Sequence, residues 1–180
     1  MQMRVIAGKY RGKCLVAPKN DSVRPTTDRI KETVFNILQP YTLSSKVLDL
    51  FAGSGALGLE ALSRGAEFAD FVDVSEGSLF FVRQNLKGVD EKTYKVTKSD
   101  YRAFLNSCDK KYDLIFIDPP YKGDMGHNAV NTVIELDLLN ECGMIVFEHA
   151  TEDEFKICDK RYNQRTKKMG NTTAEFIERL

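Results

Sequence analysis

Short apolar runs alternate along most of this chain with segments whose apolar residues recur at helical spacing. The runs predict strands at Val47–Phe51, Phe68–Val72, Tyr112–Ile117 and Met144–Phe147, and Lys92–Thr97 predicts a more polar strand. The intervening segments predict helices at Leu57–Ser63, Leu79–Leu86, Tyr101–Leu105 and Ala129–Leu136. This alternation is typical of an α/β fold, here a mostly parallel, doubly wound sheet with helices on both faces.

The N-terminal segment breaks this alternation. Met3–Gly8 and Lys13–Ala17 predict two short strands that form a small basic β-hairpin. A helix then begins near Asp28 and should stop at Pro40, because proline cannot continue a helix. We therefore expect residues 1–24 to form a basic hairpin extension.

The tail departs from the alternation as well. Phe155–Lys167 and Thr172–Ile177 predict two strands that are joined through Gly170 and Asn171. We expect them to add an antiparallel C-terminal edge to the sheet. Residues 25–180 are then expected to form one Rossmann-like domain.

The 180 residues carry no net charge, but the charges are unevenly distributed. Residues 1–46 have a net charge of +6, residues 47–155 have −10 and residues 156–180 have +4. Two basic ends around an acidic middle fit a protein whose ends contact a polyanion. Surface solubility and salt bridges between segments explain the same distribution, and charge alone slightly favours that explanation.

The composition is that of an ordinary globular protein. No apolar run approaches membrane-spanning length and the N-terminus carries no signal-peptide pattern, so we expect a cytoplasmic location and no membrane partner. Four cysteines and two histidines without Cys-x-x-Cys spacing predict neither a metal site nor a disulfide framework. We expect reduced, mostly buried thiols and a monomeric protein.

A glycine-rich segment follows the first predicted strand. Gly53-Ser54-Gly55-Ala56-Leu57-Gly58 matches the pattern G-x-G-x-x-G and opens a helix, and Asp73 lies 20 residues after Gly53 at the end of the next strand. Such glycines let a ligand approach the backbone closely, and the carboxylate can accept hydrogen bonds from ribose hydroxyls. This context predicts nucleotide binding rather than a chance turn.

Asp49 distinguishes this segment from a dinucleotide-binding motif, in which the strand usually stays apolar up to the first glycine. A buried carboxylate beside the glycines suits a cationic or amino-bearing ligand better than a pyrophosphate. S-adenosylmethionine carries a sulfonium and an ammonium group and no phosphate, so we expect it as the cofactor. Alternatively, Asp49 caps the glycine turn, and the two roles are compatible.

Polar residues also follow the third and fourth predicted strands. Asp100 either accepts a hydrogen bond from an adenine amine or is the N-cap of the helix at Tyr101–Leu105. Like Gly53, Asp73 and Asp118, it follows a strand, so we expect it at the carboxyl edge of the sheet, where open α/β sheets bind ligands. The candidate cofactor-binding residues of these segments are Asp49, Phe51, Ala52, Gly53, Ser54, Gly55, Gly58, Asp73, Val74, Asp100 and Tyr101.

The segment Asp118-Pro119-Pro120-Tyr121 follows the fourth strand and contains our candidate catalytic residues. Its two prolines fix a rigid, extended turn, because each ring restricts φ and removes an N–H. Exocyclic amines of bases are poor nucleophiles, and two acceptors on the amine hydrogens, the Asp118 carboxylate and the Pro119 carbonyl, can aim the nitrogen lone pair at a methyl group. Tyr121 can stack on a flipped-out base. The alternative is a proline-rich loop with a satisfied aspartate.

Together these motifs resemble the class I S-adenosylmethionine-dependent methyltransferases that act on amino groups. The Asp-Pro-Pro-Tyr element is also found in DNA adenine-N6 methyltransferases, and close variants modify glutamine side chains, so it does not select one substrate. Segments 4–12, 24–38 and 49–66, with Gly170-Asn171-Thr172 in the tail, resemble the bacterial 16S rRNA guanine-N2 methyltransferases of the RsmD type. This resemblance runs nearly from end to end.

The resemblance implies methylation of the N2 amine of one guanine in 16S rRNA, within the 30S subunit or its assembly intermediate. It also implies that the segment from Arg24 to Arg29 lies over the cofactor and target pocket. The implied cofactor contacts in that segment are Thr26 and Arg29, and the candidate RNA contacts are Lys9, Tyr10, Arg11, Lys13 and Arg24. The family often has Glu at the ribose-binding position, where Asp73 is shorter.

Three other functions agree with part of the pattern. A DNA adenine-N6 methyltransferase would share the Asp-Pro-Pro-Tyr segment, but 180 residues leave little room for the parts that read a DNA sequence. A non-catalytic RNA-binding assembly factor would keep the basic ends and tolerate the loss of Asp118. An NAD-dependent oxidoreductase is the weakest alternative, because the segment has no role in hydride transfer.

Overall fold

The computed structural model describes residues 3–17, 28–120 and 124–180. The strands are β1 (Lys46–Asp49), β2 (Phe68–Asp73), β3 (Tyr94–Lys98), β4 (Tyr112–Ile117), β5 (Leu139–Ala150), β6 (Tyr162–Met169) and β7 (Thr172–Arg179). The helices are α1 (Asp28–Ile37), α2 (Gln39–Thr42), α3 (Ala56–Ser63), α4 (Glu76–Asn85), α5 (Tyr101–Asn106) and α6 (Met125–Glu135), with a 3₁₀ turn at Glu91–Thr93. Within these described ranges, no helix is both long and apolar enough to cross a membrane.

The seven strands form one sheet in the order β3-β2-β1-β4-β5-β7-β6. Strands β1 to β5 are parallel, whereas β7 pairs antiparallel with β5 and with β6. The predicted α/β fold with an antiparallel C-terminal edge is therefore confirmed. The strand order reverses direction at β1, so the carboxyl ends of β1 and β4 border the point where open α/β sheets bind ligands.

Strands β5 and β6 differ most from their predicted bounds. Strand β5 extends well beyond Met144–Phe147 at both ends. Strand β6 begins only at Tyr162, because the preceding backbone is bonded to a side chain instead of a neighbouring strand. The amide of Ile157 donates to the Gln164 side chain at 2.8 Å, and the Gln164 amide donates back to the carbonyl of Phe155 at 2.9 Å.

The N-terminal hairpin forms, but one antiparallel bridge between Arg4 and Cys14 replaces the two regular strands that the sequence predicts. Its apolar residues Val5 and Leu15 are buried in the same hydrophobic cluster as the sheet. Gly8 lies in the left-handed region (φ 81°), and a Cβ there would lie 1.8 Å from the carbonyl oxygen of Ser63. The hairpin therefore packs directly on the C-terminal end of α3.

A buried carboxylate joins the hairpin to two helices. Glu60 of α3 accepts hydrogen bonds from the backbone amides of Ile6 (2.8 Å) and Ala7 (3.0 Å). The same carboxylate pairs with Lys31 of α1 at 3.2 Å and with Arg64 at 2.8 Å. Both Glu60 and Lys31 are fully buried, so each charge depends on the other.

The expectation of mostly buried thiols is wrong. Cys14, Cys142 and Cys158 are exposed, and Cys108 is half-buried. The exposed cysteines lie in the hairpin, at a β5 residue with positive φ (59°) and in the loop before β6, where the chain faces solvent.

Candidate active site

Asp49, at the end of β1, is 2% exposed and lies beneath the start of α3. Its Oδ2 accepts a hydrogen bond from the amide of Gly58 at 2.9 Å. A Cβ at Gly58 would lie 2.4 Å from the ring of Phe71, so only glycine fits between the helix and the sheet. The capping role considered for Asp49 is thus present in the structure, and the helix backbone is fixed close to the strand end.

Asp73, at the end of β2, fixes the glycine-rich loop. Its Oδ2 accepts from the amide of Gly53 at 2.9 Å, and its Oδ1 accepts from the amide of Ser75 at 2.8 Å. Gly55 has a φ of 76° and is the N-cap residue of α3. A carboxylate has about four lone-pair sites, so Asp73 can accept further hydrogen bonds from a ligand.

Further hydrogen bonds connect the glycine-rich loop to the neighbouring strand and helix. The amide of Ala52 donates to the carbonyl of Val72 at 3.0 Å, and Ser54 accepts at its carbonyl from the buried Asn85 at 2.9 Å. Val74 is exposed beyond the end of β2. The loop is therefore tied to β2 and to α4 on either side.

Asp100 serves as the N-cap of α5. Its Oδ1 accepts from the amides of Arg102 (2.9 Å) and Ala103 (3.4 Å), so this reading of Asp100 is confirmed, and its contact with an adenine amine stays a prediction. The ring of Tyr101 lies 5.3 Å from that of Phe51, measured between centroids. These two rings bring α5 against the residues that follow β1.

Asp118 directly follows β4 and is half-buried, and the turn after it is tightly packed. A Cβ at Gly126 of α6 would lie 2.8 Å from Pro119 and 2.4 Å from the ring of Phe147, so the start of α6 closes onto the first proline. Pro119 is buried, whereas Pro120 is exposed. The turn is thereby fixed on one side and open on the other.

Sequence reasoning missed Glu148, which lies beside Asp118. Ile117 of β4 is in register with Phe147 of β5, so the residues that follow them stand side by side on neighbouring parallel strands. Glu148 is 2% exposed, and its Oε1 has no hydrogen-bond partner among the described residues. The rule that selected Asp73, Asp100 and Asp118, a polar residue at a strand end, would have found it if applied to the fifth strand.

The carboxyl groups of Asp49, Asp118 and Glu148 lie close enough together to interact electrostatically. Burial, with smaller contributions from the nearby Asp118 and Asp73, raises the pKa of Asp49 to about 8 against the opposing effect of the Gly58 hydrogen bond. Burial raises the pKa of Asp118 to about 7. Burial, Asp118 and Asp49 hold the pKa of Glu148 well above its usual range. A cation or a cluster of N–H donors would lower these raised pKa values, because either one favours the ionised carboxylates.

A cavity of about 160 Å³ opens beside the end of β4. Its lining includes Pro119, Pro120, Gly126, Phe147 and Glu148. The cavity therefore lies next to the residues that are predicted to act on the amine.

Some predicted site residues are not placed in this region. Thr26, Arg24 and Tyr121 lie outside the described residues. Arg29 is exposed on the first turn of α1, and its role in cofactor binding stays a prediction.

The hairpin exposes part of the predicted RNA-binding set. Lys9 and Arg11 are exposed, with the Lys9 ammonium 5.4 Å from the centroid of the Tyr10 ring. The Lys13 ammonium instead donates to the carbonyl of Lys87, which makes it a weaker candidate for a phosphate contact. The hairpin turn contacts the C-terminal end of α3. This helix has eight residues with a rise of about 1.5 Å each, so the turn lies about 12 Å from the glycine-rich loop.

Known proteins resemble this chain along nearly its whole length. The family model described as Conserved hypothetical protein 95 matches residues 3–178. YlbH of Bacillus subtilis (strain 168) is 42% identical over 84% of this chain and 85% of its own, and Ribosomal RNA small subunit methyltransferase D of Escherichia coli (strain K12) is 32% identical over 96% and 87%. The solved structure of yhhF from Escherichia coli superposes with a TM-score of 0.88 at 32% identity, covering 99% of this chain and 98% of its own. The chain therefore belongs to the family described as Conserved hypothetical protein 95, together with the ribosomal RNA small subunit methyltransferases D.

Proposed function

We propose that this protein transfers a methyl group from S-adenosylmethionine to the exocyclic N2 amine of a guanine in 16S rRNA. The observation that carries the proposal is a group of carboxyls at the carboxyl ends of β1, β4 and β5 beside the glycine-rich loop: the buried Asp49 and Glu148 and the half-buried Asp118. A sulfonium, an ammonium and an aromatic amine are ligands that such a group favours.

The residues around the glycine-rich loop fit S-adenosylmethionine. Asp49 supplies negative charge beside the glycines, where the cationic part of the cofactor would lie. Asp73 would accept from the ribose hydroxyls while it continues to hold Gly53. Asp100 and the Phe51 ring would border the adenine. When bound, the cofactor supplies a methyl group on an electrophilic sulfonium.

The turn after β4 would orient the nucleophile. Asp118 and the Pro119 carbonyl accept the two amine hydrogens, which directs the nitrogen lone pair toward the methyl group. As the new C–N bond forms, the nitrogen must lose a proton, and a carboxylate whose pKa is about 7 is well matched to accept it. Positioning by a rigid turn then supplies most of the rate, since the electrophile is already activated.

The choice of rRNA rests on relatives. The Escherichia coli relative is named as a methyltransferase of small-subunit rRNA, and the exposed Lys9 and Arg11 on the hairpin suit contact with RNA phosphates at a distance from the reacting base. The 30S subunit or its assembly intermediate is the proposed partner.

Labelled S-adenosylmethionine offered in parallel with 30S particles, naked rRNA and duplex DNA tests the proposal. We expect label in the rRNA of 30S particles. Label in DNA would instead support an adenine-N6 methyltransferase. Tight binding to 30S particles and to the cofactor without any transfer would support the non-catalytic assembly factor.

Replacing Asp73 with alanine should weaken cofactor binding. The variant loses the ribose acceptor and the partner of the Gly53 amide, and hydrogen bonds to a charged group contribute about 1.5–3 kcal/mol each. Titration calorimetry should show a Kd raised by about tenfold or more. Glu76→Ala, an exposed carboxylate three residues further, is the matched control and should bind normally. Unchanged affinity in Asp73→Ala would remove Asp73 from the cofactor site.

Replacing Lys9 and Arg11 with alanine should weaken binding to 30S particles and make it less sensitive to salt. Each lost phosphate contact lowers the slope of log affinity against log salt by about 0.7–1. Filter binding at several salt concentrations measures both effects. Lys110→Ala, which removes an exposed cation paired with Asp70, should leave the slope unchanged. Equal slopes for the double variant and the wild type would rule out the hairpin as an RNA contact.

A further inference from the structure

Glu148 has no task in the methyl transfer described above, yet it is the costliest kind of side chain to bury. Four buried side-chain oxygens in the described part of the chain lack a hydrogen-bond partner, and Glu148 Oε1 is the only carboxyl oxygen among them. The other three belong to hydroxyl groups of Thr97, Tyr162 and Thr172. A buried acceptor that no described residue satisfies is open to a donor from a ligand.

The position of Glu148 indicates which part of the ligand it meets. It stands beside Asp118 at the ends of paired parallel strands, which lie about 4.8 Å apart. Asp49, in register with Phe116, belongs to the same face of the sheet. If Asp118 and the Pro119 carbonyl hold the amine, Glu148 adjoins the ring position next to that amine.

Guanine and adenine differ at the ring positions beside the amine. In guanine, the N2 amine lies between N1–H, a donor, and N3, an acceptor, and only N1–H can donate to the unpaired Glu148 oxygen. In adenine, the N6 amine lies between N1, an acceptor, and C5, which carries no hydrogen. A carboxylate beside the amine site therefore satisfies guanine and opposes adenine with a lone pair. Enzymes that flip a base read it through hydrogen bonds to this edge.

We propose that Glu148 is a specificity-determining residue that accepts a hydrogen bond from N1–H of the target guanine. The inference rests on the proposed function and deepens it, because the Asp-Pro-Pro segment itself serves an adenine amine equally well. Burial and the nearby Asp118 and Asp49 raise the pKa of Glu148, and the N1–H donor together with the positive cofactor favours its ionised, accepting form.

The test uses 2-aminopurine, which keeps the C2 amine of guanine and has a lone pair instead of a hydrogen at N1. Single-turnover rates are measured on 30S particles that carry either guanine or 2-aminopurine at the methylated position, introduced by ligation of the rRNA. In Glu148→Met the rate on guanine should fall, so that the ratio of guanine to 2-aminopurine rates falls about 10- to 100-fold from its wild-type value. Because this ratio is compared between the variant and the wild type, the different intrinsic reactivities of the two amines cancel.

Glu148→Gln provides a second variant of the same shape. Its amide can turn either its oxygen or its nitrogen toward N1, so the rate on 2-aminopurine should rise and the ratio should again fall. Glu175→Gln is the matched control, because Glu175 is a buried carboxylate with partners for both oxygens. Its Oε2 accepts from Thr166 and Gln164, its Oε1 lies 3.3 Å from Nε2 of His149, and the ratio of this variant should stay at the wild-type value.

Two results overturn the inference. An unchanged ratio in Glu148→Met, with both rates lowered together, would mean that Glu148 only supports the fold. Should that variant not fold, an unchanged ratio in Glu148→Gln would have the same meaning. Failure of the proposed function can be told apart from failure of the inference about Glu148. In that case the wild type would leave the guanine-containing particle unmethylated.

Discussion

Asp118→Ala should lower the rate of methyl transfer by about 10²–10³-fold while cofactor affinity stays within a few-fold of the wild type. The variant loses the acceptor that orients the amine and the group that takes its proton, but Asp49 and Asp73 remain to hold the cofactor. Single-turnover transfer and titration calorimetry separate the two effects. Asp109→Ala, an exposed carboxylate before the other end of β4, is the matched control and should retain full activity.

The pH dependence gives a second expected result for the same residue. Asp118 must be ionised to accept the amine hydrogens, and its pKa is raised to about 7, so the wild-type rate should rise with pH through a midpoint at or below about 7. The bound sulfonium favours ionisation and therefore moves the midpoint downward. Asp49 and Glu148 have raised pKa values as well, so the residual activity of Asp118→Asn should show a weaker rise with a different midpoint. Undiminished turnover in Asp118→Ala, or the same pH profile in Asp118→Asn, would remove Asp118 from the mechanism.

Glu60→Ala should lower the free energy of unfolding by about 3–5 kcal/mol, which is a large part of the stability of a domain this size. The substitution leaves Lys31 as an unpaired buried cation and removes the acceptor of the Ile6 and Ala7 amides. Burial already lowers the pKa of Lys31, and Glu60 opposes that effect, so the lysine would lose its main support. The midpoint of urea unfolding measures the loss of stability.

Glu67→Ala is the control for this result. Glu67 is exposed a few residues beyond α3, and its replacement should change stability by less than about 0.5 kcal/mol. Hydrogen exchange adds a local test, because the amides of Ile6 and Ala7 should lose protection in Glu60→Ala even under native conditions. A loss below about 1 kcal/mol, with both amides still protected, would contradict the role of Glu60 in docking the hairpin.

The parallel core of the fold could be predicted because its signals are local. The predicted strands from Val47 to Phe147 are apolar runs, apart from the more polar Lys92–Thr97, and each helix between them has apolar residues at helical spacing. The glycine-rich loop was predictable for the same reason, since Gly58 must allow a helix to approach Phe71 closely. Capping by Asp100 was also visible, but sequence spacing could not separate that role from a ligand contact.

The Glu60 network could not be predicted, because its partners meet only after folding. Lys31 lies 29 positions before Glu60, and the hairpin amides lie more than 50 positions before it. In the sequence, Glu60 and Arg64 indicate an ordinary surface pair with i,i+4 spacing. The hairpin buries that pair because it packs on α3. Such tertiary packing leaves no local pattern in the sequence.

The role of Glu148 could be predicted from the sequence only in part. Its position after an apolar run was visible, but its burial depends on β7, whose Ala174 pairs with it across the antiparallel edge. The start of β6 was misjudged for a similar reason, because the Gln164 side chain takes the hydrogen bonds that a strand would need. Side chains that bond the backbone locally compete with strands, and periodicity does not detect them.

Nucleoside analysis of the methylated product tests the central claim most directly. 30S particles are incubated with labelled S-adenosylmethionine and either the wild type or Asp118→Ala, and the rRNA is then digested to nucleosides. The proposed mechanism predicts that the wild type places the label in N2-methylguanosine and that Asp118→Ala forms almost none. Label in N6-methyladenosine, or equal N2-methylguanosine from both proteins, would contradict it.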